Sequence, residues 1–215
     1  YFDSYWNFET LIEGKVPDLL GRASPLEMVG PALSSGPTGQ CLSFNSDNAS
    51  AVSANSEFLF SENFSVSVWV RLDQLDSYNT VVAQDGTQVS SFYLQKRSDD
   101  RLSFVTFPND NVSATPCVTT GQIKPRIGEW YYLVGTRDAV SGEQRIYVDG
   151  LLSGKTLCPN GVFAAQGPLT VGRAQYSGAE IDHIRGAVDD LGISFRVLSP
   201  KEIFELYKSG RPQAQ

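Results

Sequence analysis

The sequence predicts an all-β fold, a sandwich or barrel, closed by one short C-terminal helix. Three observations carry this reading. Short apolar or alternating runs recur along nearly the whole chain, with turn residues between them. The pair Asp149-Gly150 joins two of these runs, a strong signal for a tight hairpin. After Ser199 the pattern changes from period two to a helical stripe.

The elements follow in order. In "FSVSVWVRL" (64–72), Phe64, Val66, Val68 and Val70 fall on one strand face, and Ser65, Ser67, Trp69 and Arg71 on the other. "SSFYLQ" (90–95) and "RLSFVTF" (101–107) come next, separated by the polar "KRSDD". "GEWYYLVGTRD" (128–138) and "EQRIYVDG" (143–150) are joined by a turn through Ala139–Gly142, and "LLSGKTL" continues after Gly150. The last strands are "PLTVGRA" (168–174) and "RGAVDDLGISFRV" (185–197). Ser199 is then an N-cap, Pro200 suits the first helical position and Glu202 completes a capping box. Ile203, Leu206 and Tyr207 form an apolar stripe, Gly210 ends the helix, and such a helix suits an open end or edge of the sandwich. No linker, repeat or low-complexity block interrupts the chain, so residues 1–215 read as one domain.

A chain of 215 residues with 41% hydrophobic and 11% aromatic residues can bury a full core. Its net charge of −7 argues against nucleic acid or heparin bound through a general basic surface, and "QIKPRIG" offers only Lys124 and Arg126. His183 is the one histidine, so a multi-histidine metal site or a His-based triad is very hard to build. No apolar run has membrane-spanning length and no signal peptide is seen, and a start at Tyr1 fits a mature or excised segment. Cys41 in "QCLSF" reads as a buried free thiol, whereas Cys117 and Cys158 flank the densest strand region and are candidates for a disulfide. Sequons at Asn48, Asn63 and Asn111 join that pair in favouring an extracellular location.

Eight landmarks carry a resemblance across nearly the whole chain: "WNFET" (6–10), "GQCLSFN" (39–45), "FSVSVWVRL", "GEWYYLVGTRD", "RIYVDG", "LTVGR" (169–173), "GAVDDLGI" (186–193) and "LSPKEIFELY" (198–207). In this order they resemble the laminin-G-like, concanavalin A-like lectin/glucanase domains. The family's "WYHVA" strand is matched by Trp130-Tyr131-Tyr132-Leu133-Val134, with Tyr at the usual His. The resemblance implies a two-sheet antiparallel jelly-roll sandwich with its terminal strands close together. Members bind glycans, bind protein partners or accompany catalytic domains, so the fold alone does not choose among these roles.

Strand alternation groups Asp189 with Leu191, Ile193 and Phe195 and places it on the apolar face, with Asp190 on the solvated rim. A carboxylate there costs roughly several kcal/mol unless it is paired, hydrogen-bonded or metal-bound. The resemblance implies a structural Ca²⁺ held by Asp189 and by Glu9 of "WNFET". Asp18 is a further ligand candidate, although the family's Asp-Ser-Ser-Gly-Asn is here Asp-Leu-Leu-Gly-Arg. The alternative is a carboxylate that accepts backbone N–H groups or pairs with Arg185.

The sequence reads as non-catalytic. Glycosidases of the resembled fold carry a clustered Glu-x-Asp-x-x-Glu, which is absent, and Glu129, Asp138 and Asp149 are lone acids at strand ends or turns. His183 lacks the Tyr, Arg and Gln company that polysaccharide lyases need, and no phosphate loop, zinc-type cysteine spacing or nucleophile elbow occurs. Carbohydrate binding leads, through loop residues Tyr78, Phe107, Asn109, Asp110 and Tyr176, which combine ring faces with hydrogen-bonding groups. A protein-binding adhesion module of a larger secreted or surface protein is the alternative, and Trp6, Trp69 and Trp130 read as core in either case.

Overall fold

The computed structural model describes residues 1–55, 58 and 60–210. Alternating residues give its strands two faces, and burial of one face from each of two sheets builds the molecule. In chain order the first nine strands are β1 (Ser4–Trp6), β2 (Lys15–Val16), β3 (Leu26–Val29), β4 (Ala32–Ser35), β5 (Gln40–Phe44), β6 (Ser50–Asn55), β7 (Phe64–Leu72), β8 (Asn79–Asp85) and β9 (Ser90–Lys96). The remaining strands are β10 (Leu102–Thr106), β11 (Cys117–Thr120), β12 (Trp130–Arg137), β13 (Glu143–Val148), β14 (Leu151–Leu157), β15 (Pro168–Val171), β16 (Ala174–Tyr176), β17 (Ala179–Ile181) and β18 (Gly186–Ser194). One helix, α1 (Pro200–Ser209), follows.

The first sheet runs β14-β13-β12-β7-β18-β5-β4, with β1 also paired to β18, and the second runs β11-β10-β9-β8-β15-β6-β3-β2. All strand pairings among the described residues are antiparallel, so the fold is the expected sandwich. Phe64, Val66, Val68 and Val70 face inward as their alternation requires, and they meet Phe92, Leu94 and Phe104 from the opposite sheet. The N- and C-terminal strands lie side by side, with Trp6 opposite Leu191.

Cys117 opens β11, Cys158 follows β14, and the two sulfurs are bonded. Since β11 and β14 are the edge strands of different sheets, the bond closes one open side of the sandwich. Cys41 is free and buried, as expected. Asp149 and Gly150 both have positive φ, +52° and +79°, the backbone that a tight hairpin between β13 and β14 requires.

The helix has its full capping box: the Ser199 hydroxyl accepts from the Glu202 N–H, and Glu202 accepts from the Ser199 N–H. Its location differs from the expected open end. Ile203 and Leu198 pack on Trp69, Tyr132, Val134 and Tyr147, which face outward from the first sheet, so α1 covers that sheet's outer surface. Gly210 caps its end, its N–H donating to the Leu206 carbonyl, and the position is glycine because a Cβ there would lie 2.6 Å from Trp69 Nε1. Replacing Ser199 by alanine removes one cap and is expected to cost about 1 kcal/mol, read as a lower midpoint in urea with an unchanged slope.

Of the three tryptophans, Trp6 and Trp69 are buried, Trp6 between the sheets and Trp69 beneath the helix. Trp130 is only half-buried, and the Arg71 guanidinium sits 5.4 Å from its ring centre. It is therefore not a core residue, contrary to the expectation: it sits at the start of β12.

Candidate functional site

Two places gather the residues singled out in the sequence. The larger is a groove of about 470 Å³ on the second sheet. Along β9 the side chains of Phe92 and Leu94 enter the core, so Tyr93 and Gln95 must point out of it. With Val105 and Phe107 they form the groove's floor. The loop after β10 supplies one wall through Val112, Ala114 and Pro116, and the β16–β17 hairpin supplies the other through Tyr176 and Ile181. Tyr78, Arg97 and Asp182 complete the lining.

Three of the five expected ligand residues meet here: Tyr78, Phe107 and Tyr176. Tyr176 is 40% exposed and offers a ring to solvent, while Phe107 is 5% exposed and supports the floor against Tyr93. The other two do not join them. Asp110 is a structural clamp: its carboxylate accepts from Thr87 N and Oγ1, Gln88 N and Val89 N at 2.5–2.9 Å. Burial works against its charge, but these bonds outweigh burial and hold its pKa below the ordinary value. Asn109 is exposed, outside the groove lining, and its carbonyl accepts the Asn111 N–H as part of the same turn.

The groove also holds polar residues that the sequence reading missed. Gln95 is 4% exposed; its amide oxygen accepts the Thr80 hydroxyl at 3.0 Å. Asp182 is the one carboxyl among the described lining residues, and burial pushes its pKa up to about 6, while the Thr80 hydroxyl at 3.5 Å works the other way. Tyr93 gives its hydroxyl proton to the Gln175 carbonyl, which ties floor to wall. The signal was present in "SSFYLQKR": Tyr93, Gln95 and Arg97 alternate with Phe92 and Leu94, which makes a polar and aromatic outer face on a strand with a buried inner one.

The second place is a cleft of about 280 Å³ where the chain's two ends meet, lined by Tyr5, Glu9, Thr38, Asp190 and the end of α1. Asp189 lies beneath it and is fully buried, but not on the apolar core face. Val188, Leu191 and Ile193 all face the core, because a bulge between Asp189 and Gly192 shifts the register. Asp190 is the residue that absorbs it, at φ +52°. Asp189 is thereby paired with Trp69 on the outer face, under the turn from Gly36 to Gly39. Asp190 is no solvated rim residue either: its carboxylate takes the Tyr5 hydroxyl and, at 3.2 Å, that of Thr38.

Asp189 Oδ1 accepts the Asp190 N–H at 2.9 Å; the Thr38 N–H lies near enough to favour the charged carboxylate, yet no donor meets Oδ2 with full hydrogen-bond geometry. Burial, followed by the neighbouring Asp190 charge, pushes its pKa up to about 8. Glu9 stands close enough to add to that rise, and its carboxylate lies against Gly39, where a Cβ would be 2.1 Å from Oε1. A Cβ on Gly36 would likewise fall 2.6 Å from Asp189 Oδ2. Arg185 offers no compensation, since it pairs with Asp47 and the Asn45 carbonyl.

The expected ligand set therefore divides. Glu9 and Asp189 come together around the same glycine turn, and the orphaned oxygen fits a cation's needs. Asp18 does not belong with them: its carboxylate accepts four backbone N–H groups, from Tyr5, Leu20, Arg22 and Ala23 at 2.8–3.1 Å, and so organises the turn after β2. Among the described residues no three His, Cys, Asp or Glu side chains form a metal cluster. A hard cation here would take the two carboxylates and complete its shell with backbone carbonyls and water.

Comparison with known proteins places this geometry in context. A laminin G family model, described as the concanavalin A-like lectin/glucanases superfamily, matches residues 45–204. The chain is similar to Trypanosoma rangeli sialidase solved with the inhibitor DANA, with a TM-score of 0.70 and 16% identity over 95% of this chain and 32% of that one. It is similar to domain 4 of AbnA, an extracellular arabinanase from Geobacillus stearothermophilus, in complex with arabinotriose (TM-score 0.68, 18% identity, 96% of this chain and 98% of that one). It also resembles the binding domain of Paraclostridial mosquitocidal protein 1 (TM-score 0.72, 16% identity, 97% of this chain and 51% of that one). It thus spans about a third of the sialidase and half of the mosquitocidal fragment. At these identities the likeness establishes the fold alone. No curated protein sequence matched.

Proposed function

The chain belongs to the concanavalin A-like lectin/glucanases superfamily, and we propose on that premise that it is a non-catalytic recognition domain that binds carbohydrate in the groove over β9 and β10. The observation that carries the reading is the convergence of Tyr78, Phe107 and Tyr176, from three separate segments, on one concave surface that also presents Gln95 and Asp182. Sugars have apolar faces that stack on such rings and hydroxyls that need such amide and carboxyl partners. Binding is favoured over hydrolysis because the described lining has one carboxyl, Asp182, whereas most glycoside hydrolases use a pair. The Cys117–Cys158 bond supports an extracellular setting, and the related domains that belong to longer proteins support a place in a larger multidomain protein.

The test is a glycan array with the wild type and Tyr176→Ala. Saccharide binding that weakens about fivefold or more in the variant is the expected result, since an exposed aromatic contact is worth about 1 kcal/mol. Binding unaffected by the substitution would remove the groove from the account.

We propose further that a structural Ca²⁺ sits between Glu9 and Asp189 and fastens the terminal strands. The unpartnered Asp189 oxygen, the adjacent Glu9 and the glycine turn over both support it. A protein-binding role is the second reading. What favours it is a separate apolar hollow formed by Leu151, Leu152 and Phe204 (66%, 52% and 43% exposed) on the outer side of β14 and α1.

A further inference from the structure

Resting on the groove reading above, we propose that the groove is built for an acidic saccharide, whose carboxylate is taken by the Arg97 guanidinium and the Gln95 amide together. The two residues are two positions apart, and both line the groove. Gln95 is more than nine-tenths buried, and its oxygen is already committed to the Thr80 hydroxyl. Its amide nitrogen has no acceptor among the described residues, so it presents a donor that only a ligand or water in the groove can satisfy.

Arg97 is one of three described arginines, with Arg101 and Arg137, that hold no aspartate or glutamate, and of these it alone lines the groove. Arg71, Arg173, Arg185 and Arg196 each hold an aspartate or glutamate. The Arg97 guanidinium has no carboxylate partner among the described residues; it lies 5.9 Å from the centre of the Tyr78 ring. That is a cation–π contact near the limit of its range, and a guanidinium's planar fork matches a carboxylate through paired N–H donors. A neutral sugar would leave the charge unused. A uronic or sialic residue would place its carboxylate on Arg97 and Gln95, its apolar face on Tyr176 and its hydroxyls within the field of Asp182. One localised cation in a concave site also differs from a general basic surface, which the composition excludes.

Calorimetric titration with two matched pairs of probes tests this: trigalacturonate against its full methyl ester, and sialyllactose against lactose. The expected result is that the acid binds roughly tenfold or more tightly than its neutral counterpart in at least one pair, as hydrogen bonds to a charged group imply. That preference should shrink with added salt. Arg97→Gln should bring the two members of the pair to equal affinity, whereas Tyr176→Ala should weaken both and leave their ratio intact. If the neutral member binds as tightly as the acid, or if the preference survives in Arg97→Gln, the proposal fails while carbohydrate binding in the groove stands. If none of the four probes and no saccharide on the array binds, both readings fall.

Discussion

EDTA is expected to lower the melting temperature of the wild-type protein at pH 8, added Ca²⁺ is expected to restore it, and Asp189→Asn should respond to neither. The sign follows from the buried carboxyl. In the metal-free protein Asp189 has a pKa of about 8 against an ordinary 3.8, so its proton stabilises the folded state. That contribution is fully present below about pH 4 and is lost as pH rises through 8. A cation takes the ionised carboxylate, so its benefit grows over the same interval. At a Ca²⁺ concentration one hundred times the dissociation constant the gain is about 2.7 kcal/mol. For a domain of this size that is roughly 5–10 °C. The response should therefore be large at pH 8 and small at pH 5. Asp189→Asn removes the buried charge, so the metal-free variant should melt above the metal-free wild type at pH 8. A wild type indifferent to both EDTA and Ca²⁺ at pH 8 would make Asp189 a buried neutral carboxyl and nothing more.

The second large effect belongs to the disulfide. Serine at both Cys117 and Cys158 releases a link between residues 41 apart in sequence. By loop-closure entropy this costs about 4 kcal/mol, or roughly 8–16 °C in melting temperature. The loss should be cooperative, because the bond joins the edge strands of both sheets rather than two turns of one. Thermal melts of the oxidised wild type and the double variant measure it. A shift of only a degree or two would mean that pairing alone holds that side closed.

Much of the sandwich could be read from the sequence because its signals are local. The inward set Phe64, Val66, Val68 and Val70, the Asp149-Gly150 turn and the Ser199–Glu202 box each depend on a few neighbouring residues. The structure departs from the sequence pattern where one residue breaks a period or where a partner is distant in sequence. Strict alternation placed Asp189 on the core face, and only the extra residue at Asp190 turns it outward. Asp18 and Asp110 carry the same side chain as a metal or sugar ligand, yet backbone N–H groups of Tyr5 and of residues 87–89 occupy them. The helix was legible as a helix, but its seat on Trp69 and Tyr132 was not.

The groove was half legible for a related reason. Tyr78, Phe107 and Tyr176 announce themselves as aromatic residues in loop-like stretches. Gln95 and Asp182 acquire their character from burial, and Arg97 from the lack of a carboxylate partner, which three-dimensional packing alone decides.

The central claim is that the outer face of β9 and β10 is the ligand surface. Its most direct test is a ¹⁵N NMR titration of the wild type with the tightest-binding saccharide of the array. The account expects shift changes confined to Tyr78, residues 93–97, residues 105–107 and residues 176–182. Changes centred instead on Tyr5 and Thr38 at the terminal cleft, or on Leu151 and Leu152 beside the helix, with the groove silent, would contradict it.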